Sequence, residues 1–198
     1  FNMGNLHIVT YTDGSEGSVD EPRPRQGFAV AVSGSFPGRA HAAVNWSGAV
    51  TERPALSSMA AESHALAEGR AGALRPRSLL GSLLGLDLKV AAAVDCISLF
   101  KHLAHGVRMP SDRSISRSPK MARCFLASGE VSNAVLAGGA DNSADSLTRA
   151  KAPRVTPHVP RRLLDKGSLP RLAPLEWMKK RSRNPAKGGD GGGGVLTT

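Results

Sequence analysis

Two aspartates stand where two predicted strands end, and their residue type suits divalent-metal chemistry. Asp13 closes the β-branched run Leu6–Asp13, and Asp95 closes the nearly continuous apolar run Leu88–Asp95. If these strands are adjacent and parallel, both carboxylates emerge at the edge where open sheets bind ligands. Neighbouring carboxylates repel each other unless a proton or a cation offsets their charge. Oxygen ligands of this kind favour a hard cation such as Mg²⁺.

Each aspartate also has a simpler interpretation. Asp13 precedes Gly14, and an Asp-Gly pair is typical of a turn in which the aspartate side chain bonds the backbone. Asp95 precedes a predicted helix and could serve as its N-cap. The metal-site hypothesis therefore requires the two strands to be neighbours.

Glu62 is the third candidate ligand, on a helix predicted over Met59–Leu74. By helical spacing it shares a face with small and apolar residues, namely Ala65, Leu66, Gly69 and Ala73. This face is expected to pack on the sheet, where an unpartnered carboxylate is costly to bury. Metal binding beside Asp13 and Asp95 would offset that cost; the alternative is a first-turn acid stabilised by the helix dipole.

A fourth carboxylate belongs to a short helix predicted over Asn142–Ala150. Asp145 lies within it, and Asp141 competes with Asp145 as the functional acid of this segment. Either aspartate could instead be a helix cap or a first-turn acid.

The elements that must position these residues alternate in type along the chain. Further strands are predicted over Gly27–Ser33, Ala40–Trp46 and Val131–Ala137, and further helices over Cys96–Ala104 and Ser118–Ser128. The order predicts an α/β fold, a five-stranded mixed sheet flanked by helices, in which the first and fourth strands pair in parallel through a right-handed crossover.

Capping residues set the expected ends of two helices. One of the serines at 57–58 is expected to cap the Met59–Leu74 helix, and Pro76 is expected to end it. In the later helix Ser118 suits the N-cap, Pro119 the first helical position and Gly129 the position just past the end.

The net charge of +10 is concentrated near the C-terminus. Residues 1–150 carry 15 Lys or Arg against 13 Asp or Glu, whereas residues 151–198 carry 11 against 3. We therefore divide the chain into a domain at 1–152 and a basic, Pro/Gly-rich tail at 153–198, for which we expect disorder. A basic tail favours polyanions such as nucleic acid; a solvated tail without a partner is the alternative.

The two cysteines, Cys96 and Cys124, match neither a zinc pattern nor a redox pair, which favours a reduced, intracellular protein. No apolar run approaches the roughly 18 residues of a membrane span, so no membrane association is expected.

The ordered motifs resemble ribonuclease H, specifically the domain found in copia-type retrotransposon polyproteins. Thr10–Ser15 (TYTDGS) and Ala92–Cys96 (AAVDC) resemble the strands that carry the first and third catalytic aspartates of that family. Asp141–Ala152 (DNSADSLTRAKA) resembles its closing helix and selects Asp145 over Asp141. Asn45–Gly69, with its Ala-Leu-Ser-Ser-x-x-Ala-Glu pattern, resembles the copia-type segment.

The resemblance implies that Asp13, Glu62, Asp95 and Asp145 bind two Mg²⁺ ions, or Mn²⁺, and hydrolyse the RNA strand of an RNA–DNA hybrid. Asp13 would bridge both ions, Glu62 and Asp95 would serve the leaving-group side, and Asp145 the attacking-water side.

The hybrid itself would contact four further residues, Ser15, Ser63, Arg117 and Lys120. The resemblance places Glu62 and the two serines near the 2′-OH. The sequence departs from the family at Ser63, where a tyrosine is usual, and it has no histidine between His105 and His158.

Partners implied are the hybrid and the reverse transcriptase portion of the same polyprotein. The compartments implied are the cytoplasm, virus-like particles or the nucleus. A catalytically inactive, nucleic-acid-binding module of the same fold and a decayed, non-functional copy are the alternatives.

Overall fold

In this computed structural model the described residues form a five-stranded mixed sheet with helices packed against it. The structure describes residues 6–17, 23–34, 40–52, 55–105, 113–138 and 142–148. The strands are β1 (His7–Ser15), β2 (Arg25–Ser33), β3 (Ala40–Val50), β4 (Lys89–Val94) and β5 (Asn133–Leu136). The helices are α1 (Ser58–Leu84), α2 (Ile97–His105), α3 (Arg113–Ala127) and α4 (Asp145–Thr148). The predicted fold class is confirmed.

Strand β1 lies at the centre of the sheet, whose order is β3-β2-β1-β4-β5. It pairs antiparallel with β2 and parallel with β4. Within the parallel pair Tyr11 lies opposite Ala93, and Asp13 and Asp95 each follow two residues later. The predicted adjacency of these two strands is therefore confirmed, with α1 as the crossover between β3 and β4.

The two faces of the sheet carry different side chains, because successive strand residues alternate between faces. Ile8, Val30 and Leu66 belong to a large apolar cluster that includes residues of α1, α2 and α3. Val9 and Tyr11, which alternate with Ile8, belong to a smaller cluster that Leu147 of α4 joins. The apolar runs of β1 and β4 thus reflect strands that are covered on both faces.

Helix α1 does not end at Pro76, and that prediction is wrong. Proline lacks the N–H that would bond the carbonyl four residues earlier, which here belongs to Gly72. The side-chain amide of Asn45 in β3 donates to this carbonyl at 2.9 Å. The helix continues to Leu84, and Gly85 ends it with a φ of 65°. A contact with the sheet therefore replaces the lost helical bond.

Helix α3 also begins earlier than predicted. It starts at Arg113, and Pro119 lies inside it. The predicted cap, Ser118, instead bonds the Nε2 atom of His64 on α1 at 2.7 Å. The predicted end is confirmed, since Gly129 follows the helix with a φ of 76°.

The predicted tail, residues 153–198, lies outside the described residues. Cys96 and Cys124 are both free thiols. None of the helices in the described ranges combines the length and hydropathy that a membrane crossing requires.

Candidate metal centre

Three of the four predicted carboxylates come together at one edge of the sheet. Asp13, Glu62 and Asp95 each place an oxygen so that these atoms all lie within 4.8 Å of one another. They come from three separate elements: β1, α1 and the segment between β4 and α2. Asp13 and Glu62 are buried, with exposed fractions of 8% and 4%, and Asp95 is partly exposed. The site is therefore open to solvent on the side of Asp95.

Close packing of α1 on β1 brings Glu62 to the strand. A Cβ atom on Gly14 would lie 2.4 Å from the carbonyl oxygen of Ala61, and one on Gly69 would lie 2.5 Å from Thr12. Both distances are too short for any larger residue. The pair Asp13–Gly14 is thus part of a strand and not a turn, and the glycine admits the helix that carries Glu62.

The Cys96 side chain, and not Asp95, lies at the start of α2. Helix α2 begins at Ile97, so Cys96 occupies the capping position. Burial raises the pKa of the Cys96 thiol, and hydrogen bonds from the backbone N–H groups of Leu99 and Ser98 oppose that rise. The interpretation of Asp95 as the N-cap is wrong, which leaves its carboxylate to face Glu62.

The electrostatics of the cluster are unfavourable without a cation. Burial, together with the negative charges of Asp95 and Asp13, raises the pKa of Glu62 from 4.5 to about 9. The Oε2 atom of Glu62 is buried and has no hydrogen-bond partner. An unpartnered carboxylate oxygen beside two further carboxylates is a donor set that fits a hard divalent cation. Asp13, Glu62 and Asp95 are the residues that would hold it.

Asp13 is held from the opposite face of the sheet by α4. The hydroxyl of Thr148 donates to the Oδ2 atom of Asp13, and both side chains are buried. One step along β1, the side-chain amide of Asn142 donates to the carbonyl of Thr12 at 2.8 Å. The sequence pattern assigns neither Asn142 nor Thr148 a role at the cluster. The contacts span more than 100 residues, so no local pattern could have revealed them.

Asp145, the fourth predicted ligand, lies on α4 and is partly buried. It does not belong to the group of three whose oxygens lie within 4.8 Å of one another. The same helix carries Thr148, which contacts Asp13. The structure thus places Asp145 on an element that touches the cluster but outside the cluster itself.

The four predicted hybrid-binding residues differ in accessibility. Ser15 is partly exposed and lies two residues after Asp13 in β1, on the same face of the strand. Arg117 and Lys120 are exposed on α3, which packs against α1. Ser63 is fully buried, and its hydroxyl donates to the carbonyl of Met59 at 2.6 Å. The prediction that Ser63 contacts a 2′-OH is therefore wrong, because it faces the protein interior.

The sheet order, the parallel pairing of β1 with β4 and the α1 crossover define a ribonuclease H-like fold. Ribonuclease H1 from the halophilic archaeon Halobacterium salinarum shares this fold with a TM-score of 0.50 and 20% identity, over 71% of this chain and 93% of that chain. The N-terminal RNase H domain of Rv2228c from Mycobacterium tuberculosis, solved as a fusion with maltose-binding protein, gives a TM-score of 0.51 at 17% identity, over 71% and 95%. No protein-family model and no curated protein matches the sequence. Identities this low establish the fold alone.

Proposed function

We propose that this protein is a metal-dependent endonuclease that hydrolyses the RNA strand of RNA–DNA hybrids. One observation carries the proposal: Asp13, Glu62 and Asp95 converge within 4.8 Å at the carboxyl edge of the parallel strands. Among them, Glu62 keeps a buried oxygen without a protein partner. Such a site is costly to build unless a cation offsets its charge.

The residue types suit hydrolysis of a phosphodiester. Divalent cations bound at such a site supply positive charge that stabilises the attacking and leaving oxygens of an in-line displacement. Asp13, Glu62 and Asp95 supply the negative charge that holds Mg²⁺ or Mn²⁺. Burial of Asp13 and Glu62 excludes water from one side of the cluster, which strengthens its electrostatic interactions.

Other residues would bind and orient the hybrid. Ser15 follows Asp13 by two residues in β1, and it would contact the RNA strand near the reacting phosphate. Arg117 and Lys120 are exposed cations on α3, suited to phosphate contacts that carry no sequence information. Asp145 would complete the carboxylate set from α4.

We further propose that the chain derives from a copia-type retrotransposon polyprotein and acts during reverse transcription. The support is the segment Asn45–Gly69, whose pattern assigns the catalytic glutamate to Glu62. The reverse transcriptase portion of such a polyprotein would be the partner. The cytoplasm, virus-like particles or the nucleus would be the compartment.

Cleavage of an end-labelled RNA–DNA hybrid tests the proposed activity. Wild type, Asp95→Asn and Asp87→Asn are compared with Mg²⁺ and with Mn²⁺. Asp87 is an exposed aspartate 3.1 Å from Arg77, so its variant is a matched control for loss of a carboxylate away from the cluster. We expect metal-dependent cutting of the RNA strand alone. Asp95→Asn should reduce the rate at least about a thousandfold, equivalent to about 4 kcal/mol.

Two outcomes would contradict the proposal. A folded wild type that binds the hybrid without cutting it would be a binding module and not an enzyme. Equal activity of Asp95→Asn and Asp87→Asn would show that any cutting does not use the carboxylate cluster.

A further inference from the structure

Thr148 is a buried polar residue at the end of α4 that contacts the carboxylate cluster directly. Its side chain is 6% exposed, and its hydroxyl donates to Oδ2 of Asp13. The carboxylate of an aspartate turns easily about its last torsion, so a bond to one oxygen fixes the direction of the other. Thr148 therefore restricts how Asp13 presents its oxygens to Glu62 and Asp95.

The same hydroxyl also touches the element that carries the fourth acid. Thr148 Oγ1 lies 3.1 Å from the backbone carbonyl oxygen of Asp145. Helix α4 has only four residues, too few to hold a helix by its own hydrogen bonds. Its position depends on contacts with the sheet. Polar contacts that tie this segment to β1 include the bonds from Thr148 to Asp13 and from Asn142 to Thr12.

Helix α4 lies unusually close to the sheet at Leu147. A Cβ atom on Gly27 would lie 2.8 Å from the Cβ of Leu147, and one on Gly48 would lie 2.7 Å from the carbonyl oxygen of Leu147. Glycines in β2 and β3 thus admit α4 closely enough for Thr148 to reach Asp13. A larger residue at Gly27 or Gly48 would push α4 away from the sheet and separate Thr148 from Asp13.

We propose that Thr148 is a positioning residue of the metal centre, which orients Asp13 and fixes α4, with Asp145, at the edge of the cluster. The inference rests on the proposed function, because it assumes that these carboxylates bind a divalent cation. Thr148 itself contacts no cation or substrate in this proposal. Groups that orient metal ligands in this way commonly contribute ten- to a hundredfold to metal affinity.

Titration of the full chain with Mn²⁺ tests this role without substrate. Binding is monitored as the loss of the electron paramagnetic resonance signal of the free ion. The variants are Thr148→Val, which keeps the shape but removes the hydroxyl, and Thr148→Ser, which keeps the hydroxyl. Ser146→Ala is the matched control, since Ser146 lies on the same helix and its buried hydroxyl has no hydrogen-bond partner.

We expect Thr148→Val to weaken Mn²⁺ binding at least about tenfold, Thr148→Ser to restore most of it, and Ser146→Ala to match wild type. Rescue by serine separates a positioning role from general packing. Thermal melts identify any variant that fails to fold, and if Thr148→Val does so, the comparison of Thr148→Ser with Thr148→Ala replaces it.

Wild-type affinity in Thr148→Val, or equal losses in the valine and serine variants, would overturn the inference alone, since wild type would still bind Mn²⁺ and cut the hybrid. Failure of wild type to bind Mn²⁺ would instead overturn both the inference and the proposed function.

Discussion

The two faces of the sheet hold the acidic site by different means. On one face α1 packs through large apolar residues such as Leu66, which is fully buried in the larger cluster. On the other face α4 meets small residues, including Ala29 and Ala31, and is tied to β1 by side-chain hydrogen bonds from Asn142 and Thr148. Glu62 is thus positioned by apolar burial, whereas Asp145 is positioned by polar contacts.

Because of this difference, we expect substitutions on the two faces to change different properties of the protein. Burial of a leucine contributes about 1.5–3 kcal/mol, while a single hydrogen bond contributes about 1 kcal/mol net. Changes on the α1 face should therefore act mainly on the free energy of unfolding. Changes on the α4 face should act mainly on metal binding.

The largest expected effect is the pH dependence introduced by Glu62. Its pKa is about 9 in the folded protein against 4.5 for the unperturbed group. The folded state therefore keeps a proton that the unfolded chain releases between these values. The stabilisation is complete below about pH 4.5 and is lost as the pH rises toward 9, by at most about 6 kcal/mol. Urea unfolding with EDTA from pH 5 to 9 measures this slope.

Glu62→Gln provides the control for that measurement, because glutamine does not titrate. The variant should show a much flatter dependence of stability on pH over the same range. Identical slopes for wild type and Glu62→Gln would mean that Glu62 is not the group responsible.

The second effect concerns the apolar face. Leu66→Ala removes a fully buried side chain of α1 and should lower the free energy of unfolding by about 3 kcal/mol. Leu83→Ala, at a position of the same helix that is 72% exposed, should change it by less than about 0.5 kcal/mol. Chemical unfolding at a fixed pH gives both values. Similar losses in the two variants would show that the helix is not held by this face.

A smaller loss of stability than in Leu66→Ala is expected on the α4 face. Asn142→Ala removes the donor to the Thr12 carbonyl and should cost about 1 kcal/mol. Because α4 loses an anchor, Mn²⁺ affinity should nevertheless fall more than in Leu66→Ala. Calorimetric titration of both variants with Mn²⁺, below their melting temperatures, checks this reversal of order. If Leu66→Ala bound Mn²⁺ more weakly than Asn142→Ala, the proposal that the two faces control different properties would be refuted.

Predictions from local patterns were confirmed where the residues of the pattern themselves cause the structure. The β-branched and apolar runs form β1 and β4, as predicted. The helix face that Glu62 shares with Ala65, Leu66, Gly69 and Ala73 is buried, as its helical spacing indicated. Ser57 caps α1 through its side chain, which accepts from the N–H of Ala60 at 3.1 Å. Gly129 ends α3 because a positive φ is easy for glycine.

Predictions failed where a distant residue changed the local outcome. Pro76 does not end α1 because Asn45, 31 positions earlier, bonds the carbonyl that the proline leaves unpaired. Ser118 bonds His64 on α1 and so does not cap α3.

Local patterns alone specify the acidic residues at the ends of β1 and β4 and the amphipathic face of α1, and they predict that Asp13, Glu62 and Asp95 converge if the two strands are neighbours. Each of these depends on spacing within one element and on the parallel pairing that a helical crossover favours. Packing between elements sets how deeply Glu62 is buried, brings Thr148 to Asp13 and leaves Asp145 outside the group of three. These features depend on distances between elements, which are set by side-chain packing across the whole core.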